Sequence, residues 1–185
     1  MTIPNILTLI RILLMPVLVC VFSTNPSEQN YIATTIVVFA CITDFLDGWF
    51  ARRFDQKSVM GMIFDPIADK LMLTVVLILI IKRYPDFLIT VLAIILLSRE
   101  FIVAGIREAL AILTNKVSLP VSIFGKLKTA LQMIAIIILV AYDQSMPNVL
   151  YKIGYAMLSL ATLMSIYSMY TYIKLSFSQI NEKTT

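Results

Sequence analysis

Four aspartates stand out in an oily chain: Asp44 and Asp47, spaced i, i+3, and Asp65 and Asp69, spaced i, i+4. On a helix, either spacing puts both carboxylates on one face. An ionised side chain at the centre of a membrane span costs about 2.5–3.5 kcal/mol on insertion scales. Four acids together also repel one another, so they need water or cations. Hard oxygen ligands in this number suit Mg²⁺, Mn²⁺ or Ca²⁺. Two facing carboxylate pairs can hold two ions, and two ions can clamp a phosphoryl group in transfer. The bland alternative is that the aspartates are helix caps and surface charges. That explains one aspartate per helix but not two on one face of each. Gly48, Ala51 and Gly61 leave room beside the acids for a bulky ligand, although small residues also serve plain helix packing. Arg52, five residues after Asp47, can meet a diphosphate as a charged donor.

The elements that carry these groups are read from hydropathy. Of 185 residues, 59% are hydrophobic and 14% charged, with a mean hydropathy of +0.91. Soluble domains run at about 45–50% apolar and ~25% charged, so the composition is that of a membrane protein. Six apolar segments are placed near 5–22, 31–50, 62–82, 87–110, 122–141 and 149–174. Each approaches or exceeds the roughly 20 residues that a spanning helix needs. The links carry turn chemistry, as in Tyr84-Pro85-Asp86 and Asp143-Gln144-Ser145-Met146-Pro147-Asn148. A link of about ten residues joins the second and third segments, so the two acidic pairs can face each other. The expectation is an all-α integral membrane protein with six transmembrane helices, residues 1–185 forming a single membrane-embedded domain.

With six spans both termini share one side. Arg52, Arg53, Lys57, Lys116, Lys126, Lys128, Lys174 and Lys183 fall on that side, against Lys82, Arg83 and Lys152 on the other. The bias puts both termini and the acidic site in the cytoplasm. The net charge of +4 adds attraction to anionic lipid there. The start of the chain lacks the cationic region of a signal peptide, so the first apolar stretch is expected to stay in the membrane. Cys20 and Cys41 lie in apolar runs and read as packing residues. The chain has no histidine, which excludes His-ligated metals, His-based triads and His nucleophiles.

The acidic run reads D-x2-D-G-x2-A-R-x8-G-x3-D-x3-D from Asp44 to Asp69. It resembles the signature of the CDP-alcohol phosphotransferase family, with every signature position present. The resemblance implies a six-helix membrane fold, a homodimer, and a Mg²⁺- or Mn²⁺-dependent enzyme with two ions. Its reaction would be attack by an alcohol hydroxyl on a CDP-linked lipid, expelling CMP. By that likeness Asp44, Asp47, Asp65 and Asp69 ligate metal, and Asp69 is also the general base. Asp47, Gly48, Ala51, Arg52 and Gly61 would line the CDP site. A hydroxyl is a poor nucleophile, and without histidine a carboxylate is the natural base.

Other stretches resemble the bacterial phosphatidylglycerophosphate synthase branch of the family. Pro4-Asn5-Ile6-Leu7-Thr8-Leu9-Ile10-Arg11 is similar to its opening, and Asn5, Thr8 and Arg11 fall on one arc of a helix that would bind the nucleotide end. An interfacial helix with a snorkelling arginine is the competing reading. Ser98-Arg99-Glu100, Gly105-Ile106-Arg107-Glu108 and Gly125-Lys126-Leu127-Lys128 extend the resemblance to about residue 133. Arg99, Arg107, Lys126 and Lys128 would hold the phosphate of the acceptor, unless the arginines simply pair with neighbouring glutamates. The branch implies transfer from CDP-diacylglycerol to sn-glycerol 3-phosphate in the bacterial cytoplasmic membrane, within membrane lipid and with no nucleic acid partner. Rival readings are another acceptor (serine, inositol phosphate or phosphatidylglycerol) on the same fold, or a cation transporter without catalysis. The ten methionines of the chain and the aromatic-rich sixth segment, with Tyr155, Tyr167, Tyr170 and Tyr172, read as packing and interfacial anchors.

Overall fold

The computed structural model describes residues 3–23, 26–53, 59–114, 123–143 and 145–184. These residues form six helices and no strand: α1 (Ile3–Val21), α2 (Pro26–Arg53), α3 (Val59–Arg83), α4 (Phe87–Thr114), α5 (Ile123–Ala141) and α6 (Asn148–Thr184). Each matches one apolar segment of the sequence. The differences lie at the ends. α2 begins before the apolar run because Pro26 suits the first turn of a helix, where no backbone donor is needed. α6 continues past residue 174 through Gln, Asn, Glu and Lys, which are polar yet compatible with a helix. Among the described residues, two helices are long and apolar enough to cross a bilayer, over Phe87–Ile112 and Asn148–Ser178. Asn5–Val21, Asn30–Asp44 and Leu127–Ala141 are shorter apolar helices.

α4 starts where the sequence placed a turn. Asp86 Oδ1 accepts hydrogen bonds from the backbone N–H groups of Leu88 (2.7 Å) and Ile89 (3.2 Å), capping the helix. α5 packs on α6 and α2, α4 on α6, and α1 on both α2 and α3. In lipid, apolar burial does not drive helices together, so close packing must. Small residues permit it: Ala33, Ala40, Ala93, Ala135 and Ala161 are buried between larger Leu, Ile and Val side chains. At Gly154 a Cβ would lie 3.0 Å from Ile138 Cγ2 and Leu139 Cγ, so α5 and α6 meet across a bare backbone. The outer faces are apolar, with Leu13, Phe39, Ile78, Ile94, Phe101 and Leu163 exposed, as suits an integral membrane protein.

The two ends of the bundle differ. At one end Tyr84, Tyr142 and Tyr151 cluster, with ring centroids 5.3–6.1 Å apart. There the Tyr84 hydroxyl donates to the Tyr142 carbonyl at 2.9 Å, and Asn30 Nδ2 donates to the same oxygen at 3.3 Å. The other end, where α1, α3 and α5 start and α2, α4 and α6 finish, is the more charged and carries Asp44, Asp65 and Asp69 beside Arg11 and Thr8.

Candidate active site

At the charged end, α1 lies against α2 and α3, and its polar face meets their acids. Arg11 is 1% exposed, yet its guanidinium bridges two carboxylates. Its Nη1 donates to Asp44 Oδ1 at 2.7 Å and also to Asp69 Oδ1. One turn earlier the buried Thr8 hydroxyl donates to Asp65 Oδ1. Three carboxylates from two helices thus converge on groups of a third. Asn5, half-buried, lies on the same helix another three residues before Thr8. Gly61 is buried in the first turn of α3. Asp47, Gly48, Ala51 and Arg52 lie on α2, and Lys126 on α5, but their side chains fall outside the described residues.

Among the described residues, no three Asp, Glu, His or Cys side chains stand close enough to share one ion. The donor chemistry nevertheless fits a hard cation. Asp44 and Asp69 already hold one positive group between them, the Arg11 guanidinium. Both carboxylates are reachable from outside, being 39% and 48% exposed. Carboxylate oxygens with such access suit Mg²⁺ or Mn²⁺ better than a soft metal.

A second polar cluster sits between α4, α5 and α6. Glu100 Oε1 accepts from Arg99 Nη1 at 2.7 Å and from Lys128 Nζ at 2.8 Å. Arg99 Nη2 reaches Ser168 Oγ at 3.4 Å, and Lys128 Nζ reaches Ser165 Oγ at 3.5 Å. Arg99 and Lys128 are buried. Two cations around one anion leave this trio with a net positive charge. Arg107, two turns beyond Arg99, is exposed and has no ion-pair partner among the described residues.

One cavity of about 840 Å³ joins the two clusters. Arg11, Asp44 and Asp69 line one part of it, and Arg99, Arg107 and Lys128 another. Acidic and basic candidates separated by up to 84 positions in the chain therefore share a single space (44 to 128). Sequence reasoning gave α6 anchoring and packing residues but no chemistry, yet Ser165 and Ser168 contact the basic cluster, and Ser168 and Tyr172 line the cavity. The signal that could have found them is their spacing, i, i+3, i+7: a polar stripe on one face of an apolar helix.

The sequence model of the CDP-alcohol phosphatidyltransferase family matches residues 1–172. Curated bacterial proteins named CDP-diacylglycerol–glycerol-3-phosphate 3-phosphatidyltransferase are similar over nearly the whole length. The Rickettsia typhi protein is 39% identical over 173 residues, covering 92% of this chain and 94% of its own. The Shigella flexneri serotype 5b protein is 34% identical over 172 residues, covering 92% of each. The Pseudomonas fluorescens protein is 33% identical over 181 residues, covering 97% of this chain and 92% of its own.

Proposed function

This chain belongs to the CDP-alcohol phosphatidyltransferase family, and from that membership we propose that it transfers a phosphatidyl group from CDP-diacylglycerol to sn-glycerol 3-phosphate. The products are phosphatidylglycerophosphate and CMP. The observation that carries the proposal is the shared cavity, with carboxylates at one part and buried cations at another. A donor diphosphate needs the first and a phosphorylated acceptor needs the second. The likeness to relatives named for this reaction supports the choice of acceptor.

In this reading Asp44, Asp47, Asp65 and Asp69 hold Mg²⁺ or Mn²⁺, as two ions. When bound, the metal supplies positive charge against the diphosphate and the departing CMP. Asn5, Thr8, Arg11, Asp47, Gly48, Ala51, Arg52 and Gly61 bind the CDP portion. Arg99, Arg107, Lys126 and Lys128 bind the phosphate of the acceptor. A guanidinium grips phosphate oxygens bidentately, while an ammonium acts as a point charge. Asp69 takes the proton of the acceptor hydroxyl as its oxygen attacks the lipid-bearing phosphorus. The new P–O bond forms as the diphosphate P–O bond breaks, and the electron pair leaves with CMP. Arg11, already on Asp44 and Asp69, is placed to move its charge from carboxylate to the incoming diphosphate.

Residues 1–185 act as one domain in the bacterial cytoplasmic membrane, surrounded by lipid and paired as a homodimer. The excess of Arg and Lys at the charged end supports a cytoplasmic position for that end and for both termini. Asp69→Asn tests the base assignment directly. The variant should still fold, seen as a single cooperative thermal transition in Mg²⁺, and release no CMP. Normal CMP release by the variant would overturn the role of Asp69.

A further inference from the structure

The basic cluster contains more hydrogen-bonding capacity than it uses. Arg99 is 7% exposed, and its Nε–H has no partner among the described residues. The Tyr172 hydroxyl, also buried, has none either. Both side chains line the cavity. They belong together: Ser168, which accepts from Arg99 Nη2, is one turn before Tyr172 on the same face of α6. Buried polar groups are nearly always satisfied, and two unpartnered donors on side chains that line one cavity point to a ligand that supplies acceptors. The neutral Tyr172 hydroxyl and the charged Nε–H of the Arg99 guanidinium, with the Lys128 ammonium nearby, match an oxyanion with several oxygens, hence a phosphate.

Resting on the proposed reaction, we infer that Tyr172 of α6 determines acceptor specificity, its hydroxyl and Arg99 Nε–H together binding the phosphate of the acceptor while Glu100 positions Arg99 and Lys128. Glu100 reaches both cations through one oxygen, Oε1, so it fixes their heads relative to each other. A phosphate-free acceptor leaves the buried donors vacant, and vacancy is what a polar pocket discriminates against.

The sign of one substitution separates positioning from simple charge. Glu100→Gln removes a negative charge beside an anion site. If Glu100 only diluted the positive field, the variant would bind glycerol 3-phosphate more tightly. If it positions Arg99 and Lys128, KM for glycerol 3-phosphate rises, by about five-fold or more, with kcat changing far less. Tyr172→Phe removes one oxygen and keeps the ring, and should raise the same KM by roughly ten-fold. KM for CDP-diacylglycerol should stay within about two-fold in both variants. Binding is read separately, from the rise in thermal midpoint on adding inorganic phosphate or glycerol 3-phosphate without donor. That rise should be present in the wild type and reduced in both variants. An unchanged rise and unchanged KM in Tyr172→Phe, or a lower KM in Glu100→Gln, would overturn the inference. If the wild type binds phosphate through Tyr172 yet makes no product from glycerol 3-phosphate, the pocket stands and the proposed reaction falls.

Discussion

Arg11 offers the sharpest test of how the acidic site is held together. Its guanidinium is 1% exposed and sits 2.7 Å from Asp44 while also contacting Asp69. Arg11→Met keeps an unbranched stem for packing and removes the charge. Deleting one partner of a fully buried ion pair costs about 3–5 kcal/mol, whereas an exposed pair is worth about 0–1 kcal/mol. Here the cation is buried but Asp44 and Asp69 are 39% and 48% exposed, so water screens them. An intermediate loss of about 2 kcal/mol follows, or ~4–8 °C in thermal midpoint for a chain of this length. The assay is thermal unfolding of the detergent-solubilised protein, once with a chelator and once with Mg²⁺. With the chelator, the variant should lose the full amount, because its carboxylates face one another uncompensated. In Mg²⁺ much of the loss should vanish, since metal supplies the missing charge and meets no guanidinium competitor. The gain in midpoint on adding Mg²⁺ is therefore larger in the variant than in the wild type. Equal losses with and without Mg²⁺ would refute the reasoning, showing that Arg11 contributes packing alone.

Arg107→Ala should raise KM for glycerol 3-phosphate and leave KM for CDP-diacylglycerol unchanged, as measured by steady-state CMP release. If neither acceptor affinity nor turnover changed, Arg107 would have no place in the acceptor pocket. At the opposite end, burial pushes the Tyr84 hydroxyl up from 10 to about 12. The folded state keeps its proton while the unfolded chain releases it. Stability from this group is therefore full below pH 10 and is lost as pH rises from 10 towards 12. Thermal midpoints should fall across that window, and Tyr84→Phe should flatten the fall while lowering stability at neutral pH by about 1 kcal/mol for the lost bond to Tyr142.

The helices were legible because lipid demands long apolar runs, and proline with Asp or Asn marks their ends. Tyr84-Pro85-Asp86 announced a turn, and Asp86 caps α4 as such a residue should. Where helices outrun the apolar segments, at Pro26 and beyond residue 174, hydropathy had nothing to report about polar helix formers. The aspartates were legible as a motif because two pairs at helical spacing cannot be explained by capping alone. Their partners were less so. The sequence assigned Thr8 and Arg11 to the nucleotide end, but only tertiary packing shows them on Asp65, Asp44 and Asp69. Glu100 is adjacent to Arg99 and 28 positions from Lys128, and its bond to the latter is a product of α4 and α5 both packing on α6. The sequence reading that the arginines pair with neighbouring glutamates holds for Arg99 and Glu100. The stripe of Ser165, Ser168 and Tyr172 escaped notice because hydroxyl residues are common in membrane helices, where they usually bond their own backbone, as Thr162 does with Leu158.

The most direct measurement supplies CDP-diacylglycerol and Mg²⁺ with one acceptor at a time: glycerol 3-phosphate, serine, inositol phosphate or phosphatidylglycerol. CMP release is followed, and the lipid product is identified by mass spectrometry. Release with glycerol 3-phosphate, giving phosphatidylglycerophosphate and depending on Mg²⁺ or Mn²⁺, is the predicted result. Release only with another acceptor, or with none, would contradict it.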